Sequence, residues 1–121
     1  YYDTKNFIKL CLTYNDGLKI MLMENRNGVL RIVNQTQNTK SYTVYLKAEV
    51  NKLRRRFYYS YDNESWVLVG EIPDCTFLSD EGTNDTFNFT GTMVGVYANS
   101  GPSCRIINAD FDWFHHQVLE D

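Results

Sequence analysis

Two turns near the start of this chain constrain its fold more than any other feature. Asn15-Asp16-Gly17 lies between the apolar runs 6–14 and 18–24, and Asn27-Gly28 separates the second run from 29–33. An Asx-Gly pair supplies the positive φ values of a tight hairpin turn, so two in succession predict three consecutive antiparallel strands. A helix across either turn is excluded.

The remainder repeats the same grammar. Over 42–50 the residues alternate, with Val44, Leu46, Ala48 and Val50 on one face and Lys47 and Glu49 on the other, which predicts a half-buried strand. A strand over 53–61 puts Phe57, Tyr59 and Tyr61 on one face, and Asp62-Asn63-Glu64 turns the chain into 66–69. Segments 92–98, 105–110 and 111–114 extend the series, and no window of helical length carries an apolar stripe. With 43% hydrophobic and 15% aromatic residues there is material for a two-sheet core. The expectation is an all-β fold, an antiparallel two-sheet sandwich of jelly-roll, concanavalin-like type, in a single domain over residues 1–121.

Charge narrows the partners. A net charge of -3 gives no general field for nucleic acid or an anionic membrane. Arg54, Arg55 and Arg56 form the basic cluster, but successive residues on a strand cannot share a face. They read as solvated strand-end charges, one stem lying over an apolar neighbour, rather than as a phosphate site. No apolar run reaches the roughly 20 residues needed to cross a bilayer as a helix. Residues at the start show no signal-peptide pattern, so the sequence assigns no compartment.

Cys11, Cys75 and Cys104 are too widely spaced for a zinc knuckle and too few for a disulfide scaffold. They read as ordinary buried or half-buried thiols, with one bridge and a leftover thiol as the alternative. Asn34, Asn63, Asn84 and Asn88 begin sequons that would matter only in a eukaryotic secretory pathway.

Tyr1-Tyr-Asp-Thr-Lys-Asn6 reads as the middle of a hairpin, leading to the expectation that the chain is a fragment whose first strand needs an upstream partner. Together with Tyr45-Leu-Lys-Ala-Glu-Val50, Phe57-Tyr-Tyr-Ser-Tyr-Asp62 with Trp66, and Leu78-Ser-Asp-Glu81, it forms part of a longer pattern. Phe89-Thr-Gly91 with Val94-Gly95, and Ala109-Asp-Phe-Asp-Trp-Phe114, complete it. In order and spacing these segments resemble, from end to end, the C-terminal domain of family 43 glycoside hydrolases, the β-xylosidases and α-L-arabinofuranosidases. The resemblance implies a jelly-roll sandwich, truncated at its N-terminal side, packed on an upstream five-bladed propeller that holds the carboxylates of an inverting hydrolysis. The implied role is that of an accessory domain in an enzyme acting on xylo- or arabino-oligosaccharides. Turnover by this chain alone is not expected.

The residues agree with that division of labour. Inverting hydrolysis needs an acid and a base carboxylate about 6.5–9.5 Å apart across a sugar pocket. Asp62 and Glu64 fall in a turn where Asx hydrogen bonding is the ordinary explanation, and Asp80 and Glu81 in a loop. No catalytic residue is therefore assigned within the chain. Asp110 and Asp112 share a face by alternation and are the candidate ligands of a structural Ca²⁺, an acidic outer face being the plainer reading. No other cofactor is expected. His115 and His116, adjacent on an extended segment, point apart and make a poor metal site. In the resembled xylosidases a sandwich loop brings an aromatic to the rim of the sugar pocket, and Phe89 matches it, a position suited to excluding water and narrowing the pocket. A stand-alone carbohydrate-binding module or lectin-like sandwich is the other function class. Tyr58, Tyr59, Tyr61, Trp66 and Trp113 would supply its flat ring faces, although core packing accounts for such residues equally well.

Overall fold

The computed structural model describes residues 1–14, 17–37, 43–75, 78, 95–96, 111, 113–115 and 117. Within them the chain forms β1 (Phe7–Tyr14), β2 (Leu18–Arg26), β3 (Val29–Gln37), β4 (Tyr45–Asn51), β5 (Arg54–Ser60) and β6 (Val67–Ile72). Two three-stranded antiparallel sheets result, ordered β1-β2-β3 and β4-β5-β6. The all-β, two-sheet expectation holds.

Local chemistry explains the turns. Asn27 and Gly28 take φ values of 51° and 88° between the paired residues Arg26 and Val29, the two-residue hairpin that Asn-Gly predicts. Gly17, at φ 109°, closes the first hairpin beside the Tyr14–Leu18 pair. The β4–β5 turn lacks this signal and instead holds Lys52 at φ 57°. At the start of the chain, Asp3 and Asn6 form an isolated antiparallel bridge, as a hairpin reading of that segment requires. Asn6 then accepts the Asn27 amide at 2.9 Å through Oδ1, while Gly28 donates its amide to the Lys5 carbonyl at 3.0 Å. The first turn is thereby fastened to the β2–β3 turn.

Alternation sends Ile20 and Leu22 of β2 inward, where they meet Phe57, Val69 and Ile72 of the second sheet. Tyr2, Cys75 and Leu78 close this core, and Ile8, Leu10, Leu12, Val33, Val44 and Tyr59 pack around it. Two β-bulges adjust the fit. Leu22 pairs with Asn34 and Met23 with Ile32, leaving Val33 as the extra residue; Phe57 pairs with Gly70 and Tyr58 with Leu68, leaving Val69.

Several strands differ from their expected bounds. β3 runs to Gln37 instead of Val33, and β6 to Ile72 instead of Val69, because each bulge inverts the in-out alternation at the point where an unbroken pattern ends. The apolar side of β4 is more open than a half-buried strand suggests, with Leu46 and Val50 41% and 59% exposed at the sheet's edge. Segments 105–110 and most of 92–98 lie outside the described residues. Gly95, Val96, Phe111, Trp113 and Phe114 are described and belong to no strand. Trp113 instead sets its ring against Tyr45 of β4, with centroids 6.0 Å apart.

Candidate functional site

The described carboxylates have structural work to do. Asp62 Oδ1 accepts hydrogen bonds from the Ser60 hydroxyl at 2.9 Å and from the Glu64 and Ser65 amides at 2.8 Å each. Those amides, Ser65 first, then the hydroxyl, hold its carboxyl down at about 2. Buried Ser60 in turn accepts from the Asp62 and Asn63 amides, so the turn after β5 is tied from both directions, with Asn63 at φ 62°. This is the Asx turn expected of Asp62, and a carboxylate held ionised at the pH of catalysis makes a poor proton donor.

Glu24 is the buried acid. Its Oε1 accepts from Arg31 Nε at 3.0 Å and Nη2 at 2.8 Å, and its Oε2 lies 3.1 Å from Arg26 Nε. The second contact is an ion pair without hydrogen-bond alignment. Two guanidiniums neutralise the group, and its burial keeps it away from a sugar. Glu71 takes Arg54 and Arg56 at 3.4 and 3.6 Å, and Glu49 takes Lys47 at 3.5 Å and the Tyr58 hydroxyl at 3.2 Å.

The arginine run resolves as strand geometry requires. Arg54 and Arg56 share the outer face with Glu71, while Arg55 lies opposite them, half-buried, with a buried Nη1 lacking an acceptor. Beside it, Cys75 contacts the Ile72 carbonyl at 3.7 Å; burial raises its thiol pKa against the opposing pull of Arg55. Cys11 is half-buried, and burial raises its pKa too. Both are free thiols, as the default reading expected, and Cys104 lies outside the described residues.

The aromatic candidates divide. Tyr59 packs on the core and meets Tyr61 edge-on at 5.6 Å. Tyr58 and Trp66 share the Lys47 ammonium, which lies 4.7 and 4.4 Å from their ring centroids. A cation over both rings occupies faces that a sugar would stack on. Trp113 is 58% exposed. Thus the five rings do not form one platform. A sequence reading could not find Lys47 as their partner, because only the β4–β5 pairing puts it opposite Tyr58.

Phe89, Asp110, Asp112, Asp80, Glu81 and His116 lie outside the described residues, and His115 is exposed. Among the described residues no three His, Cys, Asp or Glu side chains gather as metal ligands, and no helix is long and apolar enough to cross a membrane. Of the sequons, Asn34 is engaged through its side-chain amide, which donates to the Val69 carbonyl at 2.6 Å, whereas Asn63 stands on an exposed turn.

This two-sheet arrangement has counterparts of known kind. The sequence profile described as "Beta xylosidase C-terminal Concanavalin A-like domain" matches residues 1–117. The xylan 1,3-β-xylosidase of a Vibrio species is 30% identical over 119 residues, covering 96% of this chain and 22% of its own length. The β-xylosidase of Bacillus subtilis is 25% identical over 122 residues, covering 97% and 23%. The crystal structure of the GH43 protein BlXynB from Bacillus licheniformis superposes with a TM-score of 0.83 at 46% identity, over 87% of this chain and 20% of that one. The chain thus spans less than a quarter of each relative. A profile match running nearly end to end, on a two-sheet β structure, settles the family: this chain belongs to the concanavalin A-like C-terminal domains of β-xylosidases.

Proposed function

We propose that the chain works as the accessory C-terminal domain of a β-xylosidase-type glycoside hydrolase that trims xylan- or arabinoxylan-derived oligosaccharides. The observation that carries this reading is the asymmetry of coverage: relatives named as β-xylosidases match 96–97% of this chain with only 22–23% of their own length. The acid and base of an inverting hydrolysis then belong to an upstream five-bladed propeller. The engaged states of Glu24, Asp62 and Glu71 support placing them there.

In this reading Phe89 stands at the rim of the sugar pocket. Its ring narrows the pocket and removes water beside the bound sugar, a contribution to binding rather than to proton transfer. A Ca²⁺ held by Asp110 and Asp112 would be structural, and a chelator that lowers the melting temperature would reveal it. The test of the functional reading is kinetic. The full-length enzyme should hydrolyse a chromogenic β-xyloside, the 121-residue chain alone should not, and Phe89→Ala should raise KM several-fold with a smaller change in kcat. Turnover by the rigorously purified chain would overturn the assignment.

A further inference from the structure

Asn27 is the one asparagine of the chain that is followed by glycine. Such a pair is open to attack from within, because the amide nitrogen after an asparagine can reach the side-chain carbonyl and glycine puts no side chain in its way. Both residues stand exposed at the β2–β3 turn, and a Cβ built on Gly28 would meet nothing within 4 Å, so water and base reach the site. Left to itself, the turn should age quickly.

The first turn restrains it. Gly28 donates its amide to the Lys5 carbonyl at 3.0 Å, and Asn27 donates its own to Asn6 Oδ1 at 2.9 Å. Asn6 is held in turn: it is 2% exposed, its Nδ2 donates to Asp3 Oδ1 at 3.1 Å, and its carbonyl accepts the Tyr2 and Asp3 amides at 3.0 and 3.1 Å. Asp3 Oδ1 also accepts the Lys5 amide at 2.8 Å, and buried Tyr2 roots the turn in the core. Ring closure requires the Gly28 nitrogen to lose its proton and rotate toward Asn27 Cγ. A nitrogen donating that proton to Lys5 does neither until the bond breaks.

We propose that Asn27-Gly28 is a site of spontaneous deamidation through a cyclic imide, and that docking of the first turn sets its rate. Base removes the Gly28 amide proton, the nitrogen bonds to Asn27 Cγ, and the Cγ–Nδ2 bond breaks with release of ammonia. Water then opens the imide at either carbonyl, leaving aspartate or isoaspartate at position 27. Isoaspartate routes the main chain through its side chain and so lengthens a two-residue turn by one backbone atom. The Asn6 and Lys5 bonds cannot both be remade across that turn, and the first turn stays released. The change is slow while the turn is docked and irreversible once made.

Incubation of the full-length protein at mildly alkaline pH, followed by peptide mapping at residue 27, tests this. A synthetic peptide of residues 23–33 gives the unrestrained rate, and the folded protein should deamidate at Asn27 about tenfold more slowly, because reaction waits on local opening. Asp3→Ala, which frees the Asn6 side chain and the Lys5 amide, should recover much of that difference. Thr4→Ala, on the same turn but outside these bonds, should not. Trypsin should cut after Lys5 several-fold faster in the purified isoaspartate form than in the parent. Equal rates in protein and peptide would overturn the proposal, and that comparison needs no substitution. A folded Asp3→Ala protein that ages no faster than wild type would overturn it too, and unchanged cleavage after Lys5 would refute the release of the turn.

Discussion

Asn34 and Val69 join the two sheets at their irregular points: the Asn34 side-chain amide donates at 2.6 Å to the carbonyl of the extra residue in the β6 bulge. Asn34 itself immediately follows the extra residue of the β3 bulge, so each irregularity supplies one end of the bond. Asn34→Ala should lower unfolding stability by about 1 kcal/mol. The loss should appear as a lower denaturant midpoint at constant m-value. Asn34→Asp should cost more, because it sets a carboxylate oxygen toward a carbonyl. An unchanged midpoint in Asn34→Ala would show the bond to be incidental.

Gly70 tests the same junction by volume. A Cβ there would lie 2.9 Å from Leu22 Cδ2, with Asn34 Cβ at 3.6 Å and Val33 Cγ1 at 3.9 Å. Leu22 is fully buried and has little room to retreat. Gly70→Ala should destabilise by about 1–3 kcal/mol through overpacking. Leu22→Ala alone should cost about 2–5 kcal/mol. Combined, the two should cost less than their sum, because the cavity accepts the methyl. Strict additivity in chemical denaturation would contradict the contact.

The bulges also mark where sequence reading stops. The Asn-Gly and Asp-Gly turns and the alternations of β1, β2, β4 and β5 were legible, because backbone strain and period-two burial leave direct traces in residue type. The second halves of β3 and β6 were not, since an extra residue inverts the pattern and polar Asn34–Gln37 resembles a loop. The partners of charged groups were hidden for another reason. Glu24 is seven positions before Arg31, and Lys47 eleven before Tyr58, so cross-strand pairing, unavailable to a local reading, brings them together. Phe89 is named through family resemblance alone, whereas Asp110 and Asp112 are named from the shared face that alternation gives their carboxylates.

Glu24 and its arginines should respond asymmetrically to substitution. The Glu24 side chain is 4% exposed, whereas Arg26 and Arg31 are 41% and 61% exposed. Removing the carboxylate frees guanidiniums that can turn to water, but removing both guanidiniums strands a buried charge. Arg26→Leu with Arg31→Leu should therefore cost about 3–5 kcal/mol, and Glu24→Leu distinctly less. Equilibrium unfolding at neutral pH ranks them, and the reverse order would refute this account.

Asp62 supplies an acid-sensitive contribution. Its carboxyl is held at about 2 in the folded chain against an ordinary 3.8, so the unfolded chain binds the proton more readily. The stabilisation is fully present above pH 3.8 and disappears as pH falls through about 2. The melting-temperature gap between the wild type and Asp62→Ala should be constant from pH 7 to about 5 and shrink toward pH 2. A gap that widens on acidification would have the wrong sign for this mechanism.

The arginine run on β5 has a role that its charge alone does not suggest. With Arg54 and Arg56 outside on Glu71 and Arg55 on the inner side, a slip of β5 by one residue would turn two guanidiniums toward Ile72 and Val69 and expel Phe57 and Tyr59 into water. Mispaired hairpins of similar hydrogen-bond count are thus penalised twice, once in charge and once in lost apolar burial. The triplet works as a proofreading device for strand alignment, and its information is spent on how this chain folds rather than on what it binds.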